Sequence, residues 1–172
     1  MKLSEGCFCF IENQFFIDFP DEKLMKNKTE TNEFLNGRPF FFSFRDEKNT
    51  DIIWFIPISS KVNKYERIFQ KKMNKYNQCF TIQFADVLET KKVFLIQNMF
   101  PSIEKYIQEI YTDSKTFSVI SIDSEIEDQI IKLSKKVLRM HKHNVHIIFP
   151  NVLEIERKLI EELQRNKHEN LN

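Results

Sequence analysis

Through the first part of the chain apolar residues come in short runs, and in the last part they recur at helical spacing. Cys7 to Ile11 is the first run and predicts a strand. A small helical or irregular piece around Phe15 to Met25 follows, then a polar loop, Asn27-Lys28-Thr29-Glu30-Thr31-Asn32. Phe40 to Phe44 and Ile52 to Ile58 are strand-length runs joined by Asp46-Glu47-Lys48-Asn49-Thr50-Asp51, which predicts a hairpin. In residues 60–76, Val62, Tyr65, Phe69, Met73 and Tyr76 form one apolar stripe on a helix. Phe80 to Val87 and Lys92 to Asn98 predict a second hairpin around Glu89-Thr90, with Pro101 halting it. Ile103 to Tyr111 fits a helix or a strand, and Phe117 to Ile122 predicts the last strand of the sheet.

Two helices are predicted to close the chain. Ser124 with Glu127 makes a capping box, and Ile126, Ile130, Leu133 and Val137 give the core face behind it. Asn151 with Glu154 repeats the device before Val152, Ile155, Leu159 and Leu163, and residues 165–172 read as a frayed polar tail. The expected fold is α+β. It is a small, strongly bent or barrel-like antiparallel sheet with an interposed basic helix and C-terminal helices. One domain is expected over 1–172, strand-rich over 7–122 and helical over 124–166.

Composition narrows the function classes. With 41% apolar residues and 18 Phe, the 172-residue chain can bury a core and is not of the disordered class. Lys and Arg number 26 against 25 Asp and Glu, so no global field marks a nucleic-acid binder, and such a role must rest on local patches. No apolar run reaches membrane-spanning length and no signal peptide is evident, so a soluble cytoplasmic protein without a membrane partner is expected. Three cysteines fit a reducing compartment. Cys7 and Cys9 share one face of the first strand, and as a metal pair they lack two further ligands. With only Gly6 and Gly37, the chain carries neither a Walker loop nor a dinucleotide fingerprint.

Candidate chemistry centres on Trp54-Phe55-Ile56-Pro57-Ile58-Ser59-Ser60-Lys61-Val62-Asn63-Lys64-Tyr65. A buried run with Pro57, which cannot donate to a strand ladder, stops at two hydroxyls and opens a basic helix. Ser59 or Ser60 can cap that helix. Its first-turn N–H groups, a serine hydroxyl and Lys61 or Lys64 together make a phosphate site. The same letters also fit a serine that only caps a helix. From Lys61 to Tyr76 stand six basic residues, Lys61, Lys64, Arg67, Lys71, Lys72 and Lys75, against Glu66 alone, a local balance of 6 − 1 = +5. Lys61, Lys64, Lys71 and Lys75 line one edge, which fits either a track for a polyanion backbone or a merely solvated face.

Other chemistry is thin. His141, His143, His146 and His168 cluster late, and the His141–His143 pair lacks completing metal ligands. A serine nucleophile needs a histidine and carboxylate that the sequence does not place. Glu125, Glu127 and Asp128 are a favourable helix start.

The order of these segments resembles the ToxN/AbiQ endoribonuclease toxins of type III toxin–antitoxin systems. The resemblance runs through Phe8-Cys9-Phe10-Ile11-Glu12-Asn13-Gln14-Phe15-Phe16 and the hairpin beginning Asn36-Gly37-Arg38-Pro39. It continues through Ile56-Pro57-Ile58-Ser59-Ser60-Lys61 and Phe94-Leu95-Ile96-Gln97-Asn98-Met99-Phe100-Pro101. The family pattern has a proline between the second hydroxyl and the lysine; here Lys61 follows Ser60 directly, so Lys61 or Lys64 fills that place.

The resemblance implies a MazF-like barrel with added helices that cuts RNA without a metal or other cofactor. It further implies neutralisation by a repeat-containing antitoxin RNA that the toxin also processes, in a ring of alternating toxin and RNA. Cellular or phage RNA would be the target, in phage defence or plasmid maintenance. Ser59 and Ser60 would contact the scissile phosphate, with Lys61 or Lys64 offsetting its charge. Arg38 would add a second cation, a role for which Lys26 and Lys28 compete. Tyr65 would orient a base or the phosphate, or else pack in the core. Lys64, Tyr65, Arg67, Lys71, Lys75, Lys26 and Lys28 make up the expected RNA-binding set. No histidine stands where a general base is needed, which fits slow cleavage by electrostatics. The alternatives are a non-catalytic RNA- or protein-binding barrel using the same basic rim, and a structural domain whose lysines are only solvated.

Overall fold

The apolar runs at residues 8–11, 40–44 and 53–59 become strands buried on both faces, and the helical stripes become three helices laid against the sheet. The structure, a computed structural model, describes residues 3–27 and 37–169; Lys28 and the rest of the predicted polar loop beyond Asn27 lie outside the described residues. In chain order the elements are β1 (Phe8–Ile11), α1 (Asn13–Asp18), β2 (Pro39–Arg45), β3 (Ile53–Ser59), α2 (Val62–Tyr76), β4 (Ile82–Val87) and β5 (Thr90–Leu95). After them come β6 (Phe100–Ser102), β7 (Ile107–Ile110), α3 (Ser124–Lys142) and α4 (Val152–Glu169). The seven strands form one antiparallel sheet in the order β4-β5-β3-β2-β1-β7, with β6 paired to β3. The sheet is open, with β4 and β7 as its edges among the described residues, so it bends without closing into a barrel.

Both predicted hairpins are present. In the second, Val87 faces Thr90 and the turn is made by Leu88 and Glu89 at φ 50° and 58°. That is the twist a two-residue hairpin favours, reached here without glycine. Every residue of β3 is buried, because the main core lies on it and helices cover the sheet. Ile130, Val137 and Leu138 of α3 and Val152, Ile155 and Leu159 of α4 join that core with Phe8, Phe41, Trp54 and Phe100. The helix α2 covers the opposite face of β4 and β5, where Val62, Tyr65, Ile68 and Phe69 pack on Ile82, Val93 and Leu95. Tyr76, expected in the stripe, is exposed. Cys7 and Cys9 do share a buried face, their Sγ atoms 3.7 Å apart.

Several expectations are corrected. Pro101 does not halt the sheet but sits inside β6, opposite Trp54; β6 pairs only with β3, so its other edge needs no donor there. Phe117 to Ile122 is not a strand. Asp113 Oδ1 accepts the backbone N–H groups of Lys115 and Thr116 at 2.8 and 2.7 Å, which folds the segment into a loop. Phe117 is left exposed at φ 56°, and a single bridge, Thr112 to Val119, remains. Ile103 to Tyr111 divides into a 3₁₀ turn, Glu104–Tyr106, and β7. The second hairpin strand ends at Leu95, and Ile96–Asn98 is also a 3₁₀ turn. The expected frayed tail continues α4 as far as Glu169.

The capping of α3 is also displaced by one residue. Asp123, not Ser124, is the N-cap, and its Oδ1 accepts from the N–H groups of Glu125 and Ile126 at 3.1 and 3.2 Å. Asp123→Ala is expected to cost about 1 kcal/mol of stability. Denaturant titration should show a lower midpoint at unchanged slope; an unmoved midpoint would mean that the cap contributes nothing.

Candidate functional site

The strand β3 changes partners along the edge away from β2. Ile53 to Phe55 pair with β6, and Ile58 and Ser59 pair with Phe94 and Val93 of β5. Pro57, which has no N–H to give, falls in the gap between the two ladders. The strand therefore leaves the main core just where the hydroxyl pair begins. Neither serine caps α2, contrary to expectation: the N-cap position is Lys61 and no side chain caps the helix. The serines fix the turn instead. Ser59 Oγ accepts the N–H of Lys61 at 3.2 Å, and the carbonyl of Ser60 accepts that of Val62 at 2.9 Å. Among the described residues that leaves the first-turn N–H groups of Asn63 and Lys64 open to an outside acceptor.

Beside this turn lies a cavity of about 220 Å³. The start of β2 supplies Arg38 and Pro39, the end of β3 supplies Ile58, Ser59 and Ser60, the β4–β5 hairpin supplies Leu88, Thr90 and Lys92, and Tyr111 follows β7. Arg38 is the central cation. Its Nη1 donates to the carbonyl of Ile58 at 2.7 Å, which holds the guanidinium in place. Its Nε is buried and has no hydrogen-bond partner among the described residues. Burial also pulls the Arg38 pKa below its ordinary value, although an arginine keeps its proton at any working pH. An unpartnered buried N–H costs about 1–3 kcal/mol, so the protein carries here a donor that an incoming acceptor would satisfy. Among the described residues no carboxylate lines the cavity, and Arg38 makes no ion pair.

The sequence-predicted residues divide by place. Arg38, Ser59 and Ser60 meet around the cavity. Lys61 is exposed at the helix start beside them, and Lys64 reaches over the ring of Tyr65 at 5.4 Å. Tyr65 itself packs in the small core under α2. Arg67 and Lys71 are exposed along the outer face of α2 around a shallow groove, and Lys75 lies 4.9 Å over Tyr76. Lys72 is not part of that track: its Nζ donates to Thr81 Oγ1 and Gln97 Oε1 at 2.7 and 2.9 Å, bracing the helix to the sheet. Glu66 pairs with Lys91 at 2.7 Å, so the one acid of the helix is already neutralised. Lys26 is exposed on the segment after α1, next to Met25, which packs into the core under α2. Lys28 lies outside the described residues.

Sequence reading missed Thr90, Lys92 and Tyr111. Their only signal is strand register, which places Lys92 one residue beyond the pair of Ser59 with Val93. The histidines do not contribute to the cavity. His141 is buried, its Nδ1 accepting the N–H of Ile148 at 3.3 Å, and burial, with His146 beside it, lowers its pKa. Among the described residues no three His, Cys, Asp or Glu side chains converge to hold a metal ion, and no helix is long and apolar enough to cross a membrane.

No protein-family model and no curated protein matches the chain. Solved structures do. One is AbiQ, a lactococcal anti-phage endoribonuclease belonging to the type III toxin–antitoxin system. It is 14% identical, the match covers 94% of this chain and 99% of that one, and the TM-score is 0.65. Another comes from work on a bacterial antiviral system regulated by a processed non-coding RNA. Here identity is 12%, coverage 90% and 98%, and the TM-score 0.57. Likeness at such identities is one of fold, and it extends over nearly the whole of each chain. The open seven-stranded sheet with its added helices is thus the fold of the ToxN/AbiQ toxins, the family that the sequence resembles.

Proposed function

We propose that the chain is an RNA-cleaving toxin of the type III toxin–antitoxin kind, acting at the cavity between Arg38 and the Ser59–Ser60 turn. The observation that carries this reading is the buried Nε of Arg38 beside two hydroxyls, with neither a hydrogen-bond partner nor a carboxylate in the cavity among the described residues. The fold it shares with an endoribonuclease supports it.

The reaction needs no metal or cofactor, only the chain's own groups and water. The ribose 2′-oxygen attacks the adjacent phosphorus and the bond to the 5′-oxygen breaks. The 2′-hydroxyl proton passes to solvent water, and the departing 5′-oxygen takes up a proton from water. The products are a 2′,3′-cyclic phosphate and a 5′-hydroxyl. Negative charge peaks on the non-bridging oxygens of the phosphorane, where preorganised donors act most strongly. Arg38 supplies the fixed cation and the serine hydroxyls donate to those oxygens. Lys61 or Lys64 offsets the remaining charge from the helix start. Arg67, Lys71 and Lys75 hold the RNA backbone along α2, which makes binding salt-dependent. The inhibitor, on this reading, is a repeat-containing RNA that the toxin processes and with which it alternates in a ring.

Purified protein incubated with RNA in EDTA should generate ends bearing 2′,3′-cyclic phosphate and 5′-hydroxyl. Salt-sensitive RNA retention with no new ends would instead establish the non-catalytic binder, and loss of cleavage on chelation would overturn the metal-independent reaction.

A further inference from the structure

The phosphate chemistry just proposed uses one side of the cavity; the other side is walled by residues that it leaves idle. Along β5, Val93 and Leu95 point into the core under α2, and Lys91 reaches Glu66 on that helix. The alternate residues Thr90, Lys92 and Phe94 therefore face the other way. Phe94 enters the main core, and Lys92 stands at its outer end on the cavity wall, beside the hydroxyl pair. The opposing walls are apolar. Pro39, Ile58 and the exposed Leu88 line them together with Tyr111, whose ring is fixed edge-on against Phe10 at 5.2 Å. A volume of about 220 Å³ lies below the roughly 300–1,000 Å³ of a drug-sized site, so the space suits one ring system.

Lys92 is the charged side chain on this wall. Lys92 has donors and no acceptor. It makes no ion pair or hydrogen bond among the described residues. Thr90 spends its hydroxyl proton on the carbonyl of Leu88 at 3.3 Å. Among the described residues neither a carboxylate nor a side-chain amide faces the cavity. A base that offers a carbonyl oxygen, O6 of guanine or O4 of uracil, meets the Lys92 ammonium as an acceptor. Adenine and cytosine, seated with that same edge toward the cation, present an exocyclic amine, donor against donor.

We infer that the β4–β5 hairpin and Tyr111 form a pocket for a nucleobase flanking the cut phosphate, and that Lys92 selects a keto base over an amino base there. This inference rests on the proposed nuclease reading. The test is sequencing of the cleaved ends that the full chain produces from a randomised RNA pool. Guanine or uracil should exceed adenine and cytosine by about tenfold at one position flanking the cut, and the same profile separates guanine from uracil. Lys92→Ala should bring that ratio close to parity. Lys92→Glu, which replaces donors by acceptors, should turn it toward adenine or cytosine, a gain that misfolding does not produce. Cleavage by the native chain with no keto preference at either flanking base, or with a preference that Lys92→Ala leaves intact, overturns the base assignment and leaves the nuclease reading standing. Absence of cleavage by the native chain overturns both.

Discussion

Arg38→Ala is expected to slow RNA cleavage by about 10²–10³-fold, the loss typical of removing one preorganised donor from a transition-state site. The loss should fall on the single-turnover rate more than on RNA affinity, since Arg67, Lys71 and Lys75 remain exposed along α2. Stability should change little. The substitution gives up the bond to the carbonyl of Ile58 but also removes a buried Nε that has no partner. Arg38→Lys keeps a charge without the planar fork and should recover only part of the rate. An Arg38→Ala protein that cuts at the native rate would remove Arg38 from the chemistry.

Phe100→Ala should be the most damaging single change to the fold, at about 3–5 kcal/mol. The Phe100 ring is fully buried and lies within 5.1 to 6.4 Å of the rings of Phe15, Phe16, Phe40 and Phe55. It thus joins α1, β2 and β3 at one point, and its own strand pairs with β3 on the edge that β5 continues toward the site. Equilibrium denaturation measures the cost, and a loss below about 1 kcal/mol would show that the surrounding rings collapse into the vacated space.

What could be read from the sequence follows from how local each signal is. The β2–β3 and β4–β5 hairpins announce themselves because each pairs neighbouring apolar runs across a turn of suitable residues. The strand β6 does not: it has three residues, one of them Pro101, and exists only because β3 offers it an edge. Phe117 to Ile122 has strand composition, yet the hydrogen bonds of Asp113 claim the backbone before it. The same division runs through the site. Ser59 and Ser60 are visible as the end of a buried run, whereas Arg38 enters only through family resemblance. Thr90, Lys92 and Tyr111 reach the cavity by sheet register, which no local pattern encodes. The basic face of α2 is legible as a stripe of charge, but its period could not reveal that Lys72 turns inward to Thr81 and Gln97.

The central claim is that the cavity between Arg38 and the serine turn grips a backbone phosphodiester. A crystal structure with a short RNA carrying a 2′-deoxy sugar at the cut position tests this most directly, because that substrate binds without reacting. The account predicts a phosphate within hydrogen-bond reach of Arg38 Nε and the Ser60 hydroxyl, with one flanking base against Lys92 and Tyr111. RNA lying only along the outer face of α2, with no phosphate at Arg38, would contradict it.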